Sequence, residues 1–231
     1  MTYVMSDIHG EYEKYLKMLD LIGFRDEDEL YVLGDVIDRG PEPVQTLKDM
    51  SYRQNVYPIL GNHEVMALSV LKPLMTEITD DNYSNQINAG TLQMLSHWQM
   101  DGGDVTLRQF RALPPDERFA LLEYMEEFER YAVVECGEKT YILVHAGLGN
   151  YRPDKRLSSY TVEELTMMRP EEEIWYYDED IRVVIGHTPT PAVTYKSEIY
   201  RYENVIMIDC GATFSGRLAC LCLETGEEFY V

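Results

Sequence analysis

The feature that most constrains this chain is the repeated switch from short apolar runs to amphipathic helical stretches in residues 1–71. Met1 to Met5 reads as a strand. Glu11 to Ile22 sets Tyr12, Tyr15, Leu16, Leu19 and Ile22 at helical spacing, with Gly23 as its stop. Leu30 to Leu33 is a second strand, Pro41 to Met50 a second helix with Pro41 in its first turn, Val56 to Leu60 a third strand, and His63 to Leu71 a third helix. A β-α-β-α-β-α order needs crossover connections and so implies a mainly parallel sheet. Residues 72–128 change character: Asn, Asp and Gly are frequent, Pro114-Pro115 interrupt, and patterns such as Arg118 to Phe128 predict a helical insertion over one edge of the functional site. Strands then recur at Tyr131–Cys136, Tyr141–Val144, Val183–Ile185, Val205–Ile208, Leu218–Leu223 and Phe229–Val231, with a short helix at Val162–Met168, in a β-rich, hairpin-like second half. With no repeat or linker in 231 residues, the expectation is a single α/β domain over residues 1–231, with two packed mixed sheets flanked by helices.

The chemistry sits in the turns at the strand ends. After the first strand comes Asp7-Ile8-His9-Gly10, and after the second Gly34-Asp35-Val36-Ile37-Asp38-Arg39-Gly40. Gly61-Asn62-His63-Glu64, His145-Ala146-Gly147 and Gly186-His187-Thr188-Pro189 come after three more. Ligands of open α/β sheets bind at the carboxyl ends of the strands. Of the five histidines, His9, His63, His145 and His187 occupy these turns, and only His97 stands outside them. Singly, each polar residue could be a helix cap or a turn residue. No turn rule asks for His at four strand ends, so the joint pattern is a ligand set. Carboxylate plus neutral imidazole suits manganese, iron or zinc. Two carboxylates, several imidazoles and an amide exceed what one ion needs, so two divalent ions are expected.

Charge and composition bound the partners. The net charge of −21 leaves no general footprint for nucleic acid and repels anionic membranes. Local positive charge for an anionic substrate must then come from bound cations. Cys136, Cys210, Cys220 and Cys222 form no C-x-x-C and read as reduced, buried thiols. No apolar run approaches the length of a membrane span, and the first strand leaves no room for a signal peptide, so a cytoplasmic protein is expected.

The ordered motifs D-x-H, G-D-x-x-D-R-G, G-N-H-E, H-A-G and G-H-T resemble the calcineurin-like metallophosphoesterase superfamily. The D-R-G extension is similar to its PPP-type serine/threonine protein phosphatase branch, in the small bacterial and phage form typified by lambda phage phosphatase. Trp98-x-x-Asp101-Gly102-Gly103-x-x-Thr106 is a further family-like piece inside the insertion. The resemblance covers nearly the whole chain. It implies a β-sandwich with helices on both outer faces and two metals at the strand ends. Asp7 and His9 would hold the first metal, Asp35 would bridge both, and Asn62, His145 and His187 would hold the second. His63 would be the general acid oriented by Asp38, with Arg39 binding phosphate and Arg169 as the second phosphate-binding arginine. The chain departs from the family at Ser6 and Ala146, where Gly is usual, and at Met168, where an aromatic residue is usual before the arginine.

On this resemblance a metal-bridging hydroxide would attack phosphorus while His63 protonates the leaving oxygen. The expected substrate is phosphoserine or phosphothreonine on proteins, or another small phosphoester, with manganese favoured over iron or zinc. Weighed against it is a symmetrical bis(5'-nucleosyl)-tetraphosphatase activity. Four or more phosphates would meet little compensation in a chain of net charge −21. A non-catalytic scaffold on the same fold would be expected to lose ligands or the acid, and none is lost here. The sequence leaves the oligomeric state open.

Overall fold

The computed structural model describes residues 1–75, 89–169, 174–214 and 216–231. The first half alternates as the pattern dictates: β1 (Thr2–Met5), α1 (Tyr12–Leu21), β2 (Glu29–Val32), α2 (Pro43–Ser51), β3 (Val56–Pro58) and α3 (Asn62–Met75). β1 pairs with β2, and β2 with β3, in parallel. The described part of the insertion is helical, with α4 (Ala89–Trp98), a π-helical turn at Gln99–Gly103, α5 (Asp104–Ala112) and α6 (Pro115–Glu126); residues 76–88 lie outside the described residues. β4 (Ala132–Cys136), β5 (Lys139–Leu143), α7 (Val162–Thr166), β6 (Ile181–Ile185), α8 (Thr190–Thr194), β7 (Tyr200–Tyr202), β8 (Val205–Met207), β9 (Ala219–Cys222) and β10 (Glu228–Tyr230) complete the chain.

The strands form two five-stranded sheets, ordered β10-β9-β1-β2-β3 and β4-β5-β6-β8-β7. Both are mixed. β4–β5, β7–β8 and β9–β10 are antiparallel pairs, whereas β6 runs parallel to both β5 and β8. Side-chain alternation explains the layering. In β1, Tyr3 and Met5 join the core shared with the helices, while Val4 points into the core between the sheets. In β6, Val184 points between the sheets, and Val183 and Ile185 face the outer layer with Leu165, Tyr160 and Tyr176. The layers are thus helices, sheet, sheet and a thin outer cover. Fully burying each such side chain stabilises by about 1.5–3 kcal/mol. A one-residue slip would turn several of them outward, so the register is fixed. With it are fixed the points where the strands end.

The differences from expectation have local causes. α2 begins at Pro43, not Pro41, because Glu42 takes the position before the helix and Pro43 supplies the preset φ of its first residue. Pro115 opens α6 for the same reason rather than interrupting a helix. β7 and α8 have no counterpart in the sequence pattern; three exposed-to-half-buried strand residues and a five-residue helix carry little periodicity. Cys220 and Cys222 share one face of β9 in the helix-side core with Leu221 on the other, and all four thiols are free. Among the described residues no helix is long and apolar enough to cross a membrane.

Candidate metal centre

The turns after β1 and β2 are tied to each other through the backbone, and so are the turns after β5 and β6. Asp7 N–H donates to Gly34 O at 3.1 Å, His9 N–H to Asp35 O at 2.8 Å, and Gly186 N–H to His145 O at 2.8 Å. Ten non-glycine residues among those described have positive φ, and six of them are Asp7, His9, Asp35, Asp38, Arg39 and His187. Such conformations cost about 1–3 kcal/mol each and persist only where their surroundings enforce them. Strain is therefore concentrated on the residues singled out by the sequence pattern. The neighbouring glycines leave room for it: a Cβ on Gly61 would lie 2.3 Å from Asp35 Oδ1, and one on Gly186 would lie 2.2 Å from Asp7 Oδ2.

Six candidate ligands converge. His9 Nδ1 faces Ile37 O at 2.8 Å and His145 Nδ1 faces Leu33 O at 2.6 Å, so each must donate there and keep an Nε2 lone pair for the site. Asp35 is shared: Oδ2 lies 3.6 Å from His9 Nε2, while Oδ1 lies 3.4 Å from His145 Nε2. Ligand atoms of His9, Asp35 and His63 fall within 4.8 Å of one another, as do those of Asp35, His145 and His187. Asn62 Oδ1 sits 2.9 Å from both His145 Nε2 and His187 Nδ1. With His145 protonated at Nδ1, its Nε2 and the Asn62 oxygen are two lone-pair donors facing each other with no proton between them. A cation resolves that contact. Asp7 is placed beside rather than within these two groups, its Oδ2 accepting from His187 N–H at 3.0 Å.

The electrostatics agree with a site made for positive ions. Burial, reinforced by the charge of Asp209, raises the pKa of Asp7 well above the carboxylate range. Burial and Asp7 do the same for Asp35. Burial, with the neighbouring histidines next, holds His9 and His145 well below the usual imidazole value. His187 is lowered to about 4 by burial first and by Arg169 second. Neutral imidazoles and charge-starved carboxylates form the donor set that divalent transition ions take. The residues present fit two such ions.

His63 stands next to this set with its Nδ1 2.6 Å from Asp38 Oδ2. The fully buried Asp38 also accepts from Trp98 Nε1 at 2.6 Å and from Thr106 Oγ1 at 2.5 Å. Arg39 donates to Nε2 of His9 at 2.7 Å and of His63 at 3.0 Å, and pairs with Asp101 Oδ1 at 2.8 Å. Arg169 lies exposed beyond α7, close enough for its charge to act on His187. His97 is exposed on α4, apart from the site.

Several contributors carry no signal of their own in the sequence pattern. Glu64, fully buried, accepts from the N–H groups of Asp35, Val36, Ile37 and Gly61 at 2.9–3.3 Å and so shapes the second motif from within the third. Trp98 and Thr106 belong to the family-like piece of the insertion, which by itself assigns them no role; here they are the partners of Asp38. Asp209, its pKa raised to about 6 by burial, lies behind Asp7. It stands after β8 as Asp-Cys-Gly, the same strand-end signal as Asp7, and a sixth strand end would have disclosed it.

A family model described as "Calcineurin-like phosphoesterase" matches residues 2–213. A symmetrical bis(5'-nucleosyl)-tetraphosphatase of Methylobacillus flagellatus is 32% identical over an alignment covering 100% of this chain and 94% of that protein. One of the same name from Wigglesworthia glossinidia brevipalpis is 34% identical over 98 residues, covering 42% of this chain and 36% of the relative. Among solved structures, one provisionally called a diadenosine tetraphosphatase superposes with a TM-score of 0.70 at 18% identity, covering 100% of this chain and 92% of that one, a likeness of fold.

Proposed function

Because the chain belongs to the calcineurin-like phosphoesterase family, we propose that it is a di-metal phosphoesterase whose substrates are dinucleoside polyphosphates, cleaved symmetrically. The observation that carries the substrate is the full-length relative named a symmetrical tetraphosphatase. This redirects the expected preference for phosphoserine and phosphothreonine, which rested on the D-R-G motif and on bulk charge. Net charge is a poor guide to a local field. The −21 belongs to the whole chain, while Arg39 bonds to His9 within the ligand cluster and the charge of Arg169 acts on His187.

Asp7, His9, Asp35, Asn62, His145 and His187 would hold two divalent ions, with manganese the first choice and iron or zinc compatible with the same donors. When bound, the ions supply Lewis acidity and water activation at neutral pH. The protein's own groups do the rest. Arg39 presents a planar fork to phosphate oxygens, held in place by Asp101 and by its N–H bond to Gly102 O at 3.0 Å. Asp38 fixes His63 through Nδ1, so Nε2 is the atom that faces the site and gives a proton to the leaving oxygen. Arg169 adds positive charge on the His187 side. In-line phosphoryl transfer needs this positioning and neutralisation more than covalent help from the protein.

Competition kinetics test the reading. Diadenosine tetraphosphate is set against a phosphothreonine peptide flanked by Lys and Arg, at low and at physiological salt. The proposal expects higher kcat/KM for the dinucleotide at both. Higher kcat/KM for the peptide at both would return the site to protein dephosphorylation.

A further inference from the structure

Phe214 is a large apolar side chain left 59% exposed, and it is exposed in a chosen place. The Arg39 guanidinium carbon lies over its ring, 5.2 Å from the centroid. The turn that carries it is pinned. Lys14 Nζ, from α1, donates to Ala212 O at 2.5 Å and to Gly216 O at 3.4 Å. Asp209 Oδ1 accepts from Gly211 N–H at 2.9 Å, and Phe214 N–H donates to Gly211 O at 2.9 Å. A Cβ on Gly216 would meet Cys210 O at 2.1 Å, so the return of the turn admits glycine alone. Leaving most of such a ring in water forgoes stabilising burial.

We infer that Phe214 is a stacking platform for a nucleobase of the substrate, a deepening that rests on the dinucleotide reading above. Arg39 occupies one face of the ring and also faces the phosphate site, which ties the position of the ring to that of the phosphate. The exposed part of the ring offers a flat apolar surface beside Arg39, the residue that joins it to the phosphate site. Base–aromatic stacking strengthens binding by about five- to a hundredfold per base and tolerates any base, since each has a π-face. It suits an enzyme that grips phosphate by charge and needs a separate, sequence-neutral hold on the nucleoside.

The test uses the metal-loaded protein hydrolysing β-glycerophosphate, with AMP and ribose 5-phosphate as competing inhibitors. The two carry the same phosphate and differ by the base, so the ratio of their inhibition constants reports the base alone. It also cancels any change made through Arg39. For the unmodified protein AMP is expected to bind about tenfold more tightly, as one stacked base implies. The ratio should collapse toward one in Phe214→Ala and in Phe214→Leu, which keeps an apolar side chain without a π-face, and survive in Phe214→Trp. An AMP preference unchanged by both Phe214→Ala and Phe214→Leu overturns the inference, as does no preference in the unmodified protein. The two readings fail separately. Hydrolysis of diadenosine tetraphosphate with a flat ratio removes the platform alone. A tenfold ratio without dinucleotide hydrolysis keeps the platform and removes the substrate.

Discussion

Three side chains donate to Asp38, and each leaves a different experimental mark. His63→Asn should lower turnover of an alkyl phosphate by about 10²–10⁴-fold, the range for loss of a general acid. The loss should shrink on p-nitrophenyl phosphate, whose leaving group needs little protonation, and metal content should not change. Loss of metal from His63→Asn but not from His145→Asn would contradict the roles given to both. Trp98→Phe and Thr106→Val remove one donor each from a buried carboxylate. A hydrogen bond to a charged group contributes about 1.5–3 kcal/mol, so losses of about tenfold or more are expected, with the same dependence on leaving group. Equal losses on both substrates would mean that these residues only support the fold. At this scale the sequence disclosed what repeats: Asp, Asn or His with glycine at five strand ends. It hid Trp98, Thr106 and Glu64 because their types are ordinary and their meaning lies in partners. Trp98 and Thr106 stand 60 and 68 positions from Asp38.

Among the elements, α7 shows how a short helix can be held in place ahead of Arg169, the proposed second phosphate-binding arginine. Thr161 and Glu164 form a reciprocal cap at its start, and Glu164 also takes Lys155 Nζ at 2.6 Å and the Asn150 amide at 3.0 Å. Lys155 first, then the Thr161 N–H, hold its carboxyl down to about 2 from the usual 4.5. A folded-state pKa below the unfolded one gives stability that is fully present above about pH 4.5 and is lost as pH falls toward 2. Thermal midpoints of the unmodified protein and Glu164→Gln should therefore differ at pH 7 and draw together below pH 4.5. A gap that stays constant with pH would mean that the carboxylate's charge is irrelevant there. α3 carries a stronger dependence, because Glu64 pairs four buried N–H groups, three in the turn after β2 and one in its own turn. Glu64→Ala leaves them unpaired at about 1–3 kcal/mol each, so a large fall in thermal midpoint is expected; a midpoint within experimental error of the unmodified protein would remove Glu64 from the site's framework. The first three strands and helices were legible because each spans enough residues to show its period. β7 and α8 were not, being three and five residues long.

For the whole molecule the two sheets act as one frame that brings β1, β2 and β3 of one and β5 and β6 of the other to a common edge. Strand order could not be read from the chain, because β9 returns to pair with β1 from the far end of the sequence. Six converging ligands with Asp35 shared predict two ions per chain. Chelation should abolish hydrolysis and manganese restore it. Thermal midpoint should rise with metal, since an ion at a hundredfold excess over its dissociation constant adds about 2.7 kcal/mol. Elemental analysis of active, metal-saturated protein giving one ion or none would contradict the paired site. The central claim, a metal-dependent phosphoesterase for dinucleoside polyphosphates, is tested most directly by chromatography of the products formed from diadenosine tetraphosphate under single-enzyme conditions. The account predicts ADP as the sole nucleotide product, two per substrate consumed, with formation stopped by chelation. Intact dinucleotide in the presence of rapid phosphopeptide dephosphorylation, or AMP and ATP in equal amounts, would contradict it.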